Sequence, residues 1–387
     1  MVHDELISTI NEYGVVSFDV FDTLLLRPYV EPTDLFIHME KAENRPGFYN
    51  ARILAEKRAR TKERPEPKLD EIYAEIPSGF DDLKETELRY ERQVLRPNPE
   101  LIGLYREAVE SGKKVILVSD MYLPQTFISS VLEENGVLGY ETLYVSCEYG
   151  ASKRSGKLFE IILEDLGETS GNIIHIGDDP KSDVESPKDM GLTAIYYEKP
   201  IKRYFRTNGR ERKYYRKNKG LDASVIVSMD MLKQISPAYT DDYWYRVGYR
   251  YGGPVNVSFA RFIEDSTESD ETLLFVARDG YRPKLIYERL YGSKKTAYVY
   301  APRIQSIITN SVGRDYPGFE KEIEKRFQGK RPYKGNEETY AKLMESELSA
   351  YGAYVKGIAG NGKVTIVDAT TSKFTAQNLI SNALDRE

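Results

Sequence analysis

The sequence contains few of the side chains that form disulfides or zinc sites. Its 387 residues include one cysteine, Cys147, and three widely separated histidines, His3, His38 and His175. A lone cysteine excludes an internal disulfide and a cysteine-based zinc site, and histidines this far apart form no metal-binding motif. We therefore predict a protein of the reducing cytoplasm. We expect Cys147 to be a small buried apolar residue rather than a reactive thiol.

Long apolar runs are also absent. No segment approaches the roughly 20 apolar residues that a membrane-spanning helix needs. The first ten residues, MVHDELISTI, carry acids and no apolar core, so they do not form a signal peptide. With 40% hydrophobic and 30% charged residues, the chain has the composition of a globular protein of two or three domains. We expect no membrane span and no nucleic-acid partner, and the oligomeric state stays open.

Acidic residues slightly outnumber basic ones, and the charge is unevenly distributed along the chain. The net charge is −6, yet residues 199–219 hold ten Lys or Arg and one Glu. Because this segment has few aliphatic residues and little periodicity, we predict that residues 199–234 form a basic connector between two domains. A second interpretation stays open, in which the basic aromatic segment makes peripheral contact with a phosphate-rich partner or an anionic surface.

The first half of the chain alternates strand and helix patterns. Near-continuous apolar segments such as VVSFD, KKVILVSD and NIIHIGDD predict strands that are buried on both faces. Amphipathic segments between them predict helices. Repeated βα units of this kind predict an α/β fold with a parallel, doubly wound, Rossmann-like sheet over residues 1–198.

Residues 33–97 interrupt this alternation directly after the first strand. The segment is highly charged, shows helical patterns and is too long for a loop, so we predict a helical cap inserted over the carboxyl edge of the sheet. Its arginines Arg52, Arg58 and Arg60 have two interpretations. They hold phosphate or carboxylate groups of a substrate, or they lie on a solvated helix face.

Residues 235–387 have strand patterns of their own, ETLLFVARDG, KTAYVYAPR and GKVTIVDATTS. They predict a second α/β, Rossmann-like domain. The chain ends soon after the last pattern, which leaves open that this domain is truncated and the chain a fragment. Polar residues at or just after the predicted strand ends fit either a second anion or sugar pocket or salt bridges at the domain edge; they are Arg278, Asp279, Arg303, Asp368 and Gln377.

Chemically active side chains follow the strands of the first domain. They are Asp19, Ser119 with Asp120, Lys153 in the loop after the third strand, Asp178 with Asp179, and Asp183. In an open parallel sheet, ligands bind beyond the carboxyl ends of the strands. Carboxylates gathered there repel one another unless a cation neutralises them, and hard oxygen ligands suit Mg²⁺ together with a substrate phosphate. An aspartate can also attack phosphorus and form an aspartyl-phosphate.

These motifs give residues 10–200 a resemblance to the haloacid dehalogenase (HAD) superfamily, which consists mostly of Mg²⁺-dependent phosphatases and phosphotransferases. The matching segments are FDVFDTLL, KVILVSD, SKRSGKLF and HIGDDPKSDVESPKDMG, in that order. The resemblance implies roles for six side chains, which are the nucleophile Asp19, the turn threonine Thr23, the phosphate-binding hydroxyl of Ser119, the charge-neutralising Lys153, the metal ligand Asp178 and the supporting acid Asp183. Lys157 is a weaker alternative to Lys153.

The resemblance extends to neighbouring positions. It implies that Asp179 and the backbone carbonyl of Phe21 join Asp19 and Asp178 as metal ligands. It also implies that Asp120 and Thr23 line the substrate site.

The sequence departs from the superfamily at Phe21. Superfamily phosphatases carry a second aspartate two residues after the nucleophile, where it serves as general acid and base, and phenylalanine cannot transfer a proton. Asp22 is either a stand-in for that aspartate or a turn-forming residue that bonds its own backbone. Superfamily dehalogenases also lack the second acid, but they tend to lose the metal-ligand acids that this sequence keeps.

A closer resemblance covers nearly the whole chain. The segments SFDVFDTLLLRP, VSDMYLP, LLFVARDGY and VDAT are similar to predicted HAD hydrolases linked to bacterial surface-polysaccharide biosynthesis. This resemblance implies a phosphorylated sugar, a nucleotide-sugar or a polymer intermediate as the substrate.

Together these patterns predict a Mg²⁺-dependent phosphohydrolase or phosphotransferase that acts through an aspartyl-phosphate on Asp19. The alternative is a catalytically impaired module that keeps the Mg²⁺ and phosphate pocket for sensing or docking in a polysaccharide-synthesis assembly. Phe21 favours the alternative, whereas Asp19, which phosphate binding alone does not require, favours the enzyme.

Overall fold

The computed structural model describes residues 3–240, 242–311, 337–368 and 374–384. The chain divides into two compact units, Met1–Tyr239 and Thr240–Glu387, and each unit has a hydrophobic core of its own.

The first unit is built on a parallel sheet of five strands. In order across the sheet, the strands are β5 (Thr142–Val145), β4 (Lys114–Ser119), β1 (Val15–Asp19), β6 (Ile173–Gly177) and β7 (Thr193–Tyr196). All neighbours in this sheet are parallel, which confirms the predicted doubly wound α/β fold. The central strand β1 is buried along its whole length. Its neighbours β4 and β6 lie on opposite sides, so the strand order switches at Asp19, the position where open α/β sheets bind ligands.

Helices cover both faces of this sheet, and the first unit also holds a two-stranded antiparallel pair, β2 (Leu25–Leu26) with β3 (Arg96–Pro97). The helices before residue 200 are α1 (His3–Asn11), α2 (Asp34–Ala42), α3 (Phe48–Ala59), α4 (Leu69–Ala74), α5 (Lys84–Val94), α6 (Ile102–Glu110), α7 (Gln125–Glu134), α8 (Ser146–Tyr149), α9 (Lys157–Leu166) and α10 (Ser186–Asp189).

The predicted helical cap is present as helices α2 to α5, between β2 and β3. Of the three cap arginines, Arg52 is fully buried and donates to Glu87 at 2.8 and 2.9 Å. Its guanidinium also lies 4.6 Å from the ring centroids of Phe36 and Tyr122. Arg52 therefore stabilises the cap interior and is not available to a substrate.

Residues 199–234, which we predicted to be a connector between two domains, are mainly helical. They form helices α11 (Pro200–Thr207), α12 (Gly209–Lys217) and most of α13 (Leu221–Ile235), all within the first unit. The side chains of Tyr204 and Met231 are buried together on these helices. The sequence pattern hides this packing because α11 buries only Pro200 and Tyr204 among its cations, and α12 buries none of its residues.

The second unit contains a parallel sheet of three strands, in the order β10 (Val364–Val367), β8 (Thr272–Val276) and β9 (Thr296–Val299). This arrangement agrees with the predicted second α/β unit. Its described helices are α14 (Tyr243–Val247), α15 (Gly253–Ser266), α16 (Tyr281–Leu290), α17 (Arg303–Ser311), α18 (Glu337–Ala359) and α19 (Thr375–Leu384). The end of the predicted strand segment GKVTIVDATTS lies outside the described residues. Within the described parts of both units, no helix is long and apolar enough to cross a membrane.

Candidate active site

The chain turns sharply after β1 and thereby places Asp19, Asp22 and Thr23 at the switch point of the sheet. The amides of Leu24 and Leu25 both donate to the carbonyl of Val20, at 2.9 and 2.8 Å. Asp22 has a φ of 60°, a left-handed conformation that aspartate tolerates better than most residues. The Thr23 hydroxyl lies 3.3 Å from Asp178 Oδ1, so this turn is joined to the end of β6.

Lys153 is the buried cation at the centre of the site. Its ammonium donates to Asp19 Oδ1 and, at 2.6 Å, to Asp183 Oδ1. The backbone amide of Lys153 donates to Asp120 Oδ1 at 2.7 Å. Asp120, predicted to line the substrate site, thus holds the loop that carries Lys153. The structure thus brings Lys153 and Asp19 into direct contact.

Asp183 reaches the site because Gly177, the last residue of β6, has no side chain. A Cβ on Gly177 would lie 2.4 Å from Asp183 Cγ. The Asp183 carboxylate accepts from the Asp179 amide at 2.9 Å and lies 3.1 Å from His175 Nε2. Burial raises the pKa of Asp183, but the Lys153 ammonium and His175 outweigh burial and hold that pKa well below its usual range.

Lys199, which sequence analysis did not single out as a site residue, is a second cation of the site. It directly precedes α11, and its ammonium lies 2.7 Å from Asp22 Oδ2 and 2.8 Å from Asp178 Oδ2. Burial lowers the pKa of Lys199, yet these two carboxylates raise it above its usual value. The signal was the strand pattern TAIYY shortly before Lys199, which places it near a fifth strand end, but the surrounding basic run concealed it.

Three carboxylates of the site can share one cation. Asp19, Asp178 and Asp183 are buried, and each offers one oxygen within 4.8 Å of the others. Counting Asp22 as well, four carboxylates face two ammonium groups, those of Lys153 and Lys199, which leaves a formal charge of −2. Burial is the main cause that raises the pKa values of Asp19 and Asp178. Hard oxygen donors and uncompensated negative charge both fit a divalent cation such as Mg²⁺.

The other two predicted metal ligands, Asp179 and the Phe21 carbonyl, are not among these three carboxylates. The Asp179 side chain caps the following helical turn, Pro180–Glu185, and accepts from the amides of Lys181 and Ser182 at 3.0 and 2.8 Å. The ring of Phe21 lies against the Arg27 guanidinium at 4.6 Å. Metal ligation by Asp179 and by the Phe21 carbonyl stays a prediction.

A polar hydroxyl and a cavity complete the site. Ser119, at the end of β4, is buried. A cavity of about 300 Å³ opens beside Asp22, Asp179 and Lys199. The cavity lining is mixed, with apolar or aromatic residues such as Tyr29, Ile201 and Met231 beside the charged residues Arg27 and Glu31.

The structure brings together only some of the polar residues that were predicted to form a pocket in the second unit. Gln377 Nε2 donates to Asp368 Oδ2 at 3.1 Å, next to the end of β10. The Arg278 side chain is 94% exposed and lies 3.7 Å from Asp279, which is a surface ion pair. Arg303 begins α17 after β9. Their roles as an anion or sugar pocket stay predictions.

Comparison with known proteins gives only remote similarity. No family model and no curated protein matches the chain. A HAD-family enzyme from Bacteroides thetaiotaomicron, solved with magnesium and inorganic phosphate, is 14% identical with a TM-score of 0.37, and the match covers 48% of this chain and 95% of that one. A 2-haloacid dehalogenase from Pseudomonas syringae pv. Tomato DC3000 is 13% identical with a TM-score of 0.37, over 48% of this chain and 86% of that one. This chain is therefore similar to HAD-family enzymes over about half its length. The similarity is too low to assign their activities to this chain.

Proposed function

We propose that the first unit is a Mg²⁺-dependent phosphohydrolase or phosphotransferase that forms an aspartyl-phosphate on Asp19. The observation that carries this proposal is the buried pairing of Lys153 with Asp19 and Asp183 at the switch point of the sheet. Asp19 is the last residue of the central strand, at the edge of the sheet where a phosphoryl group would bind.

Each side chain of the site has a defined task in this proposal. Asp19 attacks the phosphorus atom, while the Lys153 ammonium and the Ser119 hydroxyl hold the phosphoryl oxygens. Asp183 fixes the lysine in place. Asp19 and Asp178 would hold Mg²⁺, with Asp183 close enough to contribute, and the bound ion would neutralise charge on the phosphoryl group.

The cap contacts the carboxyl edge of the sheet, which is where substrate selection would occur. Glu66, between α3 and α4, accepts from the Ser146 hydroxyl at 2.9 Å. The neighbouring Lys68 lies 2.5 Å from Glu148. We propose that cap movement at these contacts admits substrate and excludes water. A phosphorylated sugar or a nucleotide-sugar of polysaccharide biosynthesis remains the proposed substrate.

The rival proposal is a module that binds Mg²⁺ and phosphate without turnover. Phe21 favours it, because the ring offers no proton at the position of the usual acid. Activity of the full-length protein separates the two proposals, because the rival predicts Mg²⁺ binding with no release of phosphate.

The test is phosphate release from a panel of sugar phosphates and nucleotide sugars, with Mg²⁺ and with EDTA. Asp19→Asn should lower Mg²⁺-dependent release by roughly 10³-fold or more, because it removes the nucleophile. Asp189→Asn is the matched control, since Asp189 is exposed on α10 of the same unit. Release that persists in Asp19→Asn would contradict the proposal. Silence across the panel, with Mg²⁺ bound in calorimetry, would favour the rival.

A further inference from the structure

Among the described residues, the side chains best placed to act as a general acid beside Asp19 are either not acidic or already paired. Phe21 has no acidic group, and its ring lies against Arg27. Asp22, which could stand in for the missing acid, is paired with the Lys199 ammonium at 2.7 Å. The phenol of Tyr29, which lines the adjoining cavity, is bonded to His38 Nδ1 at 2.8 Å. Lys199 lines this cavity and also contacts Asp178 at 2.8 Å, so it places a cation between the cavity and the carboxylates of the site.

A missing acid restricts the bond that such a site can break. Expelling the alkoxide of an ordinary alcohol without protonation is slow, and general acid help is worth about 10² to 10⁴ in rate. A phosphate leaving group needs no proton, because it is stable as an anion at neutral pH. A fixed cation at the leaving oxygen stabilises the charge that develops there.

We propose that the substrate is a phosphoanhydride, such as a sugar diphosphate or a nucleoside diphosphate, whose terminal phosphoryl group is transferred to Asp19. Lys199 is the residue that stabilises the departing phosphate. This inference rests on the proposed function and narrows its substrate class. The 300 Å³ cavity that Lys199 borders takes the organic part of the leaving group.

The two steps balance without an external acid or base. In the first, Asp19 Oδ forms a bond to the terminal phosphorus, the bridging P–O bond breaks, and its electron pair leaves with the phosphate monoester. In the second, water attacks the phosphorus of the aspartyl-phosphate and the bond to Asp19 breaks. Both hydrogens of that water stay with the released phosphate as dihydrogenphosphate, and Asp19 returns to its carboxylate.

The first test measures how turnover depends on the leaving group. Turnover of aryl phosphates from dinitrophenyl to phenyl phosphate should fall steeply as the phenol becomes a poorer leaving group. ADP should release its terminal phosphate faster than AMP. Phe21→Asp should flatten the dependence and raise phenyl phosphate turnover by roughly 10²-fold or more. Phe21→Asn is the matched control, because asparagine has the size of aspartate but cannot act as a general acid, and it should give no such gain.

A flat dependence in the wild-type protein, with AMP cleaved as well as ADP, would overturn this inference while leaving the proposed function in place. It would mean that another acid protonates the leaving group. Glu31, which lines the cavity, would then be the first residue to mutate. Absence of Asp19-dependent turnover for every substrate, dinitrophenyl phosphate included, would instead overturn the proposed function and this inference together.

The second test concerns Lys199. Lys199→Met should lower kcat/KM for ADP by about 10²-fold, the usual scale for losing a stabilising group at a developing anion. The loss on dinitrophenyl phosphate should be much smaller, because that leaving group needs little stabilisation. Lys213→Met is the control, since Lys213 is an exposed lysine of α12. Equal losses on both substrates, also seen with Lys199→Gln, would show a merely structural role and contradict the assignment.

Discussion

At the scale of single residues, the geometry of the site depends on Gly177, which has no side chain. Asp183 packs over Gly177, where no Cβ interferes, and from there it holds the Lys153 ammonium at 2.6 Å. Because Lys153 also pairs with Asp19, the position of the proposed nucleophile depends on this close approach between Asp183 and the end of β6.

Gly177→Ala should therefore disturb both stability and turnover. The added methyl group would lie 2.4 Å from Asp183 Cγ, so Asp183 must move away. Overpacking of this kind typically costs about 1–3 kcal/mol, which urea unfolding measures, and Asp19-dependent phosphate release should fall as well. Gly171→Ala is the matched control, because no atom lies within 4 Å of its added Cβ. Equal stability and activity in the two variants would contradict this account of Gly177.

The sequence predicts which residues follow the strand ends, but it does not predict the separate role of each side chain. Asp19, Lys153, Asp178 and Asp183 were placed together because parallel strands bring their carboxyl ends to one edge. Asp179 is adjacent to Asp178, yet it caps the turn that follows β6. Only the backbone path after Gly177 decides which of these acids points into the site, and sequence spacing does not determine that path.

At the scale of elements, the cap is held together by a buried ion pair between two helices. Arg52 on α3 and Glu87 on α5 are both fully buried and bonded twice. Tyr73 on α4 also donates to Glu87, at 2.8 Å. Helical patterns in the cap were readable from the sequence, whereas this pairing across 35 positions was not, because it depends on tertiary packing.

Arg52→Met should destabilise the protein strongly. Removing the cation leaves the Glu87 carboxylate buried without its main partner, which typically costs about 3–5 kcal/mol. Arg58→Met, an exposed position on the same helix, should change the free energy of unfolding by no more than about 0.5 kcal/mol. Thermal and urea unfolding measure both variants.

The double variant Arg52→Met with Glu87→Gln should recover part of the loss, because no charge is then left buried without a partner. Identical unfolding of Arg52→Met and Arg58→Met would show that the buried pair does not stabilise the cap.

At the scale of the whole molecule, the proposed chemistry lies entirely within the first unit, Met1–Tyr239. The sequence predicted its parallel sheet because strands such as β1 and β6 are continuous apolar segments that are buried along their whole length. The sequence did not predict that residues 199–234 belong to this unit, since their cations outnumber the aromatic residues that pack. Lys199 went unrecognised for the same reason, although it directly follows the sheet's edge strand region and contacts Asp178.

The most direct measurement of the central claim is a search for phosphate bound covalently to Asp19 during turnover. The full-length protein, incubated with Mg²⁺ and the best substrate of the panel, is quenched in acid, and its peptides are mapped by mass spectrometry. We predict a phosphoryl group on the peptide VVSFDVFDTLLLR at Asp19, dependent on Mg²⁺ and absent from Asp19→Asn. Sustained Mg²⁺-dependent turnover with no phosphoryl group on Asp19 would contradict the account.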